Sequence, residues 1–208
     1  MTSFLKIALL AALLSACGGV PLKPDSTVPL APQVDLNRYV GDWYVIAHIP
    51  TERDTSSHNA MENYTLNADG SIATTYRNRL GGFGGEKKLM TPTAFVVPNT
   101  GNALWGMRFQ IPGTSIPWPP HYEYRVAHVE PLAGDAPYEI AIIARSQKDF
   151  LWLFSRSPEM SDVELARFRQ LIAAWGYDAA KLARVPQQWP NPVTGEAPVL
   201  GPHRPGEH

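Results

Sequence analysis

The dominant pattern in the chain is an alternation of apolar and polar positions in short runs, punctuated by turn residues, from Gly41 to Ser155. A period of two marks half-buried strands, because successive side chains leave a strand on opposite faces. Strands are predicted at residues 42–49, 60–67, 71–79, 87–97, 104–111, 122–130, 139–145 and 150–155. No helical stretch separates them, so parallel crossovers are excluded. Asn67-Ala68-Asp69-Gly70 offers a glycine able to take positive φ, and Ser146-Gln147-Lys148-Asp149 is a tight polar connection. Strands that follow one another in this way make an all-β fold, an eight-stranded antiparallel up-and-down barrel with room for one ligand.

The period changes at residue 161. Ser161-Asp162-Val163-Glu164 forms a capping box, in which Ser161 and Glu164 each satisfy a backbone donor at a helix start. Leu165, Phe168, Leu171, Ile172 and Trp175 then recur at three- and four-residue spacing, and Gly176 ends the run. A single amphipathic C-terminal helix must cover an apolar surface, and the outside of the barrel is the one available. After Arg184 the chain turns Pro- and Gly-rich, so residues 185–208 are expected to be an irregular or mobile tail.

Before the barrel, residues 18–34 carry Pro21, Pro24, Pro29 and Pro32 and show no apolar periodicity. They read as a tether that could hold a domain up to roughly 50 Å from an anchor, at about 3.1 Å per residue. Still earlier, Lys6 and the apolar run from Ile7 to Leu14 are too short for a bilayer span and read as a signal peptide. Leu14-Ser15-Ala16-Cys17 resembles the lipobox of bacterial lipoproteins. That resemblance implies cleavage before Cys17, acylation of its thiol, and outer-membrane residence, since Gly18 rather than Asp follows. The expected organisation is a signal peptide at 1–16, a lipidated cysteine with its tether at 17–34, a barrel domain at 35–184 and the tail at 185–208.

Composition adds exclusions. The 18 basic and 19 acidic residues leave no electrostatic footprint for nucleic acid, and 44% hydrophobic content is ample for one large core. The glycines of Gly81-Gly82-Phe83-Gly84-Gly85 lead into a strand rather than a helix, which argues against a phosphate loop. The six histidines show no metal-ligand spacing, so no metal and no cofactor is expected.

Two further stretches are more specific. Leu36-Asn37-Arg38-Tyr39 leading into Gly41-Asp42-Trp43-Tyr44, and the run from Asp149 through Ser155-Arg156-Ser157-Pro158 at the end of the last strand, resemble the lipocalins. With the lipobox they are similar to the bacterial lipocalins, the Blc group of outer-membrane lipoproteins related to apolipoprotein D. The resemblance implies that Trp43 closes the barrel floor and that Arg156 packs across it, a contact of about 1 kcal/mol. The connection at 131–137 is longer than the short turn of that family.

With Trp43 inward, the period of two points Val45, Ala47 and Ile49 inward as well. Counting back from Arg156 by twos points Phe154, Trp152 and Phe150 inward, and turns Leu151 and Leu153 toward the helix. Val45, Ala47, Ile49, Tyr64, Trp105, Phe109, Tyr124, Phe150 and Trp152 are therefore the candidate ligand-binding residues of an apolar cavity. The alternative is that these side chains fill a dry core. Phe83 and Trp118, in loops at the open end, are candidates for an apolar lip.

No catalytic constellation stands out. The enzymes of the lipocalin family use a reactive cysteine or paired acids, and here the one thiol is expected to be acylated. The expected function is a lipid-anchored binding protein at the periplasmic face of the outer membrane, holding a fatty acid, a lysophospholipid or a similar small amphiphile. A lipocalin-fold enzyme acting on a lipid and a closed-barrel structural envelope lipoprotein are the alternatives.

Overall fold

The computed structural model describes residue 22 and residues 26–50, 56–110 and 117–198. The expected signal peptide, Cys17 and the side chain of Trp118 lie outside the described residues. One helical turn, α1 (Leu36–Tyr39), leads into β1 (Gly41–Ile49), β2 (Ser57–Leu66), β3 (Ile72–Leu80), β4 (Glu86–Met90), β5 (Thr93–Val96), β6 (Leu104–Gln110), β7 (Pro117–Glu130), β8 (Ile140–Ala144) and β9 (Leu151–Ser155). Helix α2 (Asp162–Ala174) and a two-residue strand β10 (Ala183–Arg184) follow. Neighbouring strands pair antiparallel in chain order, and β9 returns to pair with β1, which closes an eight-stranded barrel.

The strand expected at 87–97 is interrupted. Pro92 has no N–H to give to a ladder, and its carbonyl accepts from both the amide (3.0 Å) and the hydroxyl (2.9 Å) of Thr74. The strand therefore breaks into β4 and β5, which occupy one place in the barrel beside β3.

Helix α2 carries the capping box: Ser161 accepts from the Glu164 amide, and Glu164 accepts from the Ser161 amide. Its buried side chains Leu165, Phe168 and Ile172 pack against Leu151, Leu153, Ile142 and Ala144 on the outer wall. Arg167 on the exposed side makes a bidentate bond to Glu130 (2.7 and 2.9 Å), and with His128 it holds that carboxyl down at about 2. After Gly176, Tyr177 returns to the barrel and donates to the carbonyls of Arg145 (2.8 Å) and Phe150 (3.0 Å).

The two flanks depart from their expected roles. Val28, Ala31 and Val34, assigned to the tether, are buried, and the amide of Ala31 donates to the Val126 carbonyl (2.9 Å). The packed chain thus begins at least as early as Val28.

The C-terminal flank is built into the wall. β1 pairs with β2 only from Gly41 to Tyr44, because bulges between Val45 and Ala47 and between His58 and Met61 splay the two strands toward the open end. β10 takes the vacated edge of β1, and the amide and side chain of Asn59 on β2 bond to Pro186 and Gln188. Between them the Gln187 side-chain amide donates to the carbonyls of Val45 (3.0 Å) and Ala60 (2.8 Å). Further on, Glu196 accepts from Arg79 (2.7 Å) and Lys87 (2.8 Å), and Asn191 donates to the Phe83 carbonyl (2.8 Å). Residues 185–198 are irregular in conformation yet hydrogen-bonded to the barrel through Val185, Pro186, Gln187, Gln188 and Asn191.

Gln187→Ala leaves two carbonyls in the wall without a donor, so it is expected to cost about 2 kcal/mol of unfolding free energy. Chemical denaturation checks this, and an unchanged midpoint would show that the tail only rests on the surface.

Candidate functional site

Building the interior from its closed end starts at Gly41, whose φ of +97° suits glycine and turns α1 under the barrel. There the Trp43 indole N–H donates to the Tyr39 carbonyl (2.9 Å), and the Arg156 guanidinium lies 3.6 Å from the Trp43 ring centroid. Arg156 also donates to the carbonyls of Asp42 (2.6 Å), Tyr39 (2.9 Å), Val40 (2.9 Å), Tyr138 (3.1 Å) and Arg38 (3.3 Å). Five backbone acceptors at the closed end are thereby satisfied by one side chain.

Above this lies an aromatic layer. Trp105 stacks on Tyr124 at 5.1 Å and 6°, while Tyr39 meets Tyr64 (5.3 Å) and Trp105 (5.2 Å) edge-on or tilted. Tyr64, Trp105 and Tyr124 are at most 4% exposed. They belong to a close-packed floor layer rather than to an open wall. The side chains toward the mouth are looser: Phe109, Phe150 and Trp152 are partly exposed and pack on the same inner cluster.

The inward alternation along β1 needs correction. Val45 joins the inner cluster with Trp43, but Ala47 and Ile49 face outward, against the helix-side cluster that includes Leu153 and Phe168. The cause is the bulge at Ile46: Val45 pairs with Phe154 and Ala47 with Leu153, so one extra residue flips the parity. His48 takes the inward position instead, opposite Trp152. Along β9 the register is uninterrupted, with Phe150, Trp152 and Phe154 inside and Leu151 and Leu153 outside. Phe83, proposed for the lip, packs edge-on against His58 at 5.1 Å.

The interior also holds an acid that sequence reasoning passed over. Glu62 pairs with Trp43 on one side and Tyr76 on the other, so it shares their inner face, and it is 1% exposed. The signal was available, since Glu62 has the parity of Ala60 and Tyr64, and a carboxylate at an inward position breaks the alternation. Burial pushes its carboxyl well above its ordinary 4.5, and Arg77 behind the sheet opposes that rise. Burial likewise raises the hydroxyls of Tyr39, Tyr64 and Tyr124, which bond to one another.

The sequence between residues 34 and 187 matches the model of the lipocalin-like domain. The chain belongs to the lipocalin-like family. It is 26% identical to temperature-induced lipocalin-1 of Arabidopsis thaliana over 170 residues, spanning 79% of this chain and 86% of that one. It is 25% identical to the outer membrane lipoprotein Blc of Vibrio cholerae over 182 residues, spanning 88% and 97%. Among solved structures, insecticyanin from the tobacco hornworm Manduca sexta superposes with a TM-score of 0.58 at 18% identity, covering 84% of this chain and 92% of that one.

Within this lipocalin-like barrel, the Glu62 carboxyl has a folded pKa above its unfolded one. Its contribution to stability is therefore complete below about 4.5 and is lost as pH rises through the folded value. Glu62→Gln is expected to match the parent in urea midpoint at pH 4 and to exceed it at pH 8. Parallel midpoints across that range would mean that Glu62 ionises freely.

Proposed function

We propose that this lipocalin binds a lipid amphiphile, of the fatty-acid or lysophospholipid kind, in the mouth half of its barrel and does no chemistry on it. The observation that carries the reading is the gradient along the inner face. A sealed aromatic floor gives way to Val45, Phe109, Phe150 and Trp152, which are apolar and, for the last three, only partly covered. An acyl chain matches such a surface, because apolar area removed from water contributes about 25 cal/mol per Å². Of the candidate ligand residues, Tyr64, Trp105 and Tyr124 would then form the bottom of the site. Lipocalin-like proteins are generally binding and transport proteins, which supports a non-enzymatic role.

The same reading attaches the chain to the periplasmic face of the outer membrane through acylated Cys17. It is supported by the lipobox-like Leu14-Ser15-Ala16-Cys17 and by the likeness to proteins described as outer membrane lipoproteins. Native mass spectrometry of delipidated protein against fatty acids and lysophospholipids tests binding, and the absence of any adduct would sink it. Metabolic labelling with palmitate tests the anchor: label should enter the parent and not a Cys17→Ala variant.

A further inference from the structure

Among the described residues, Glu62 Oε2 and the Trp152 indole N–H are buried in the barrel interior without a hydrogen-bond partner. They belong to one neighbourhood. Glu62 is paired across the sheet with Tyr76, and the Trp152 ring stacks on Tyr76 at 5.1 Å and 12°. A folded protein rarely leaves a buried acceptor and a buried donor together unless something else supplies their partners.

The charges around this pair narrow what can enter. Arg156 is committed to the floor carbonyls, and Arg77 lies behind the sheet, 3.7 Å from Asp42. The other titratable groups of the described lining include Tyr39 from α1, His48 from β1, Tyr64 from β2, Tyr76 from β3 and Tyr124 from β7; the hydroxyls of Tyr39, Tyr64 and Tyr124 bond among themselves, and that of Tyr76 bonds to Ser57. Lys88 on β4 shares the inward face of Asn78, one step nearer the mouth than Tyr76, and its ammonium is bonded to Glu86 (2.7 Å), so a carboxylate or phosphate placed beside Glu62 would face a carboxyl group and aromatic rings. An uncharged hydroxyl or carbonyl would instead accept from the Trp152 N–H and share a hydrogen bond with Glu62.

We propose that Glu62 and Trp152 form the head-group end of the cavity, so that amphiphiles enter head first when the head is an alcohol, an amide or an un-ionised acid. The proposal rests on the lipid-binding reading and specifies its selectivity. A fatty acid then binds together with its proton, and a charged lysophospholipid head stays outside at the mouth. Because burial favours the protonated form of Glu62, an alcohol keeps the same affinity across neutral pH while a fatty acid loses affinity as pH rises.

The test is a titration of the delipidated mature chain with dodecane, dodecanol and laurate at pH 6 and pH 8, followed by native mass spectrometry. Dodecanol is expected to bind about tenfold more tightly than dodecane at both pH values, the difference one or two matched hydrogen bonds make. Laurate should weaken about tenfold or more from pH 6 to pH 8. In Glu62→Leu the dodecanol-to-dodecane ratio should fall toward one, and in Trp152→Phe it should fall severalfold; the second variant carries the test if the first does not fold. Equal affinity for dodecane and dodecanol, or a ratio unmoved by either substitution, overturns the head-group site while leaving lipid binding intact. Failure of all three probes overturns the lipid-binding reading itself.

Discussion

Arg156→Ala is expected to lower the unfolding free energy by about 4 kcal/mol, read as a fall in urea midpoint with an unchanged slope. The guanidinium donates to five backbone carbonyls, those of Arg38, Tyr39, Val40, Asp42 and Tyr138, and covers the Trp43 ring at 3.6 Å. A hydrogen bond to a charged donor contributes roughly 1.5 to 3 kcal/mol, and a partly desolvated cation–π contact about 1 to 2. These contributions share one side chain and are not additive, so the loss falls well below their sum. Arg156→Lys keeps the charge but has three donors and no planar face, and should recover less than half of the loss. A cost below about 1 kcal/mol for Arg156→Ala would show that the floor holds without it.

The second large effect separates the two faces of β1. Val45→Trp overpacks the interior above Trp43, at a cost of about 1 to 3 kcal/mol, and is expected to abolish lipid adducts in native mass spectrometry of the folded fraction. Ala47→Trp, two residues on, should do the reverse. Ala47 is fully buried among the residues that α2 covers, so overpacking there costs about 2 to 3 kcal/mol and loosens the helix, with lipid uptake retained by the folded fraction. If Ala47→Trp blocked uptake and Val45→Trp did not, the bulge at Ile46 would be absent in solution.

That pair also shows where sequence reasoning runs out. Period-two alternation locates strands and assigns faces as long as the ladder is unbroken, as it is along β9 from Leu151 to Ser155. It carries no mark for a bulge, because Ile46 is as apolar as its neighbours and an extra residue on a strand buried on both faces leaves the hydrophobic run intact. The α2 boundaries were legible for the opposite reason: a capping box and a terminal glycine are local chemistry. Glu62 is legible from its parity alone, as a carboxylate in line with Ala60 and Tyr64, and not from any pattern of aromatic lining. Proline content reads correctly as the lack of regular structure at 185–198 but says nothing of packing, so neither the burial of Val28, Ala31 and Val34 nor the bonds of the tail to the barrel are visible in it.

The splay of β1 from β2 has a consequence for the order in which the protein can be completed. Val45 and Ala60 are among the early parts of the chain to leave the ribosome, yet the donor that satisfies their carbonyls is Gln187, 142 and 127 residues later. A contact of that separation forms slowly, because the loop entropy must be spent before it returns anything. Until then β1 and β2 are unbridged beyond Tyr44. A lipid present while the chain folds would meet that unbridged seam, and residues 185–188 would close it afterwards.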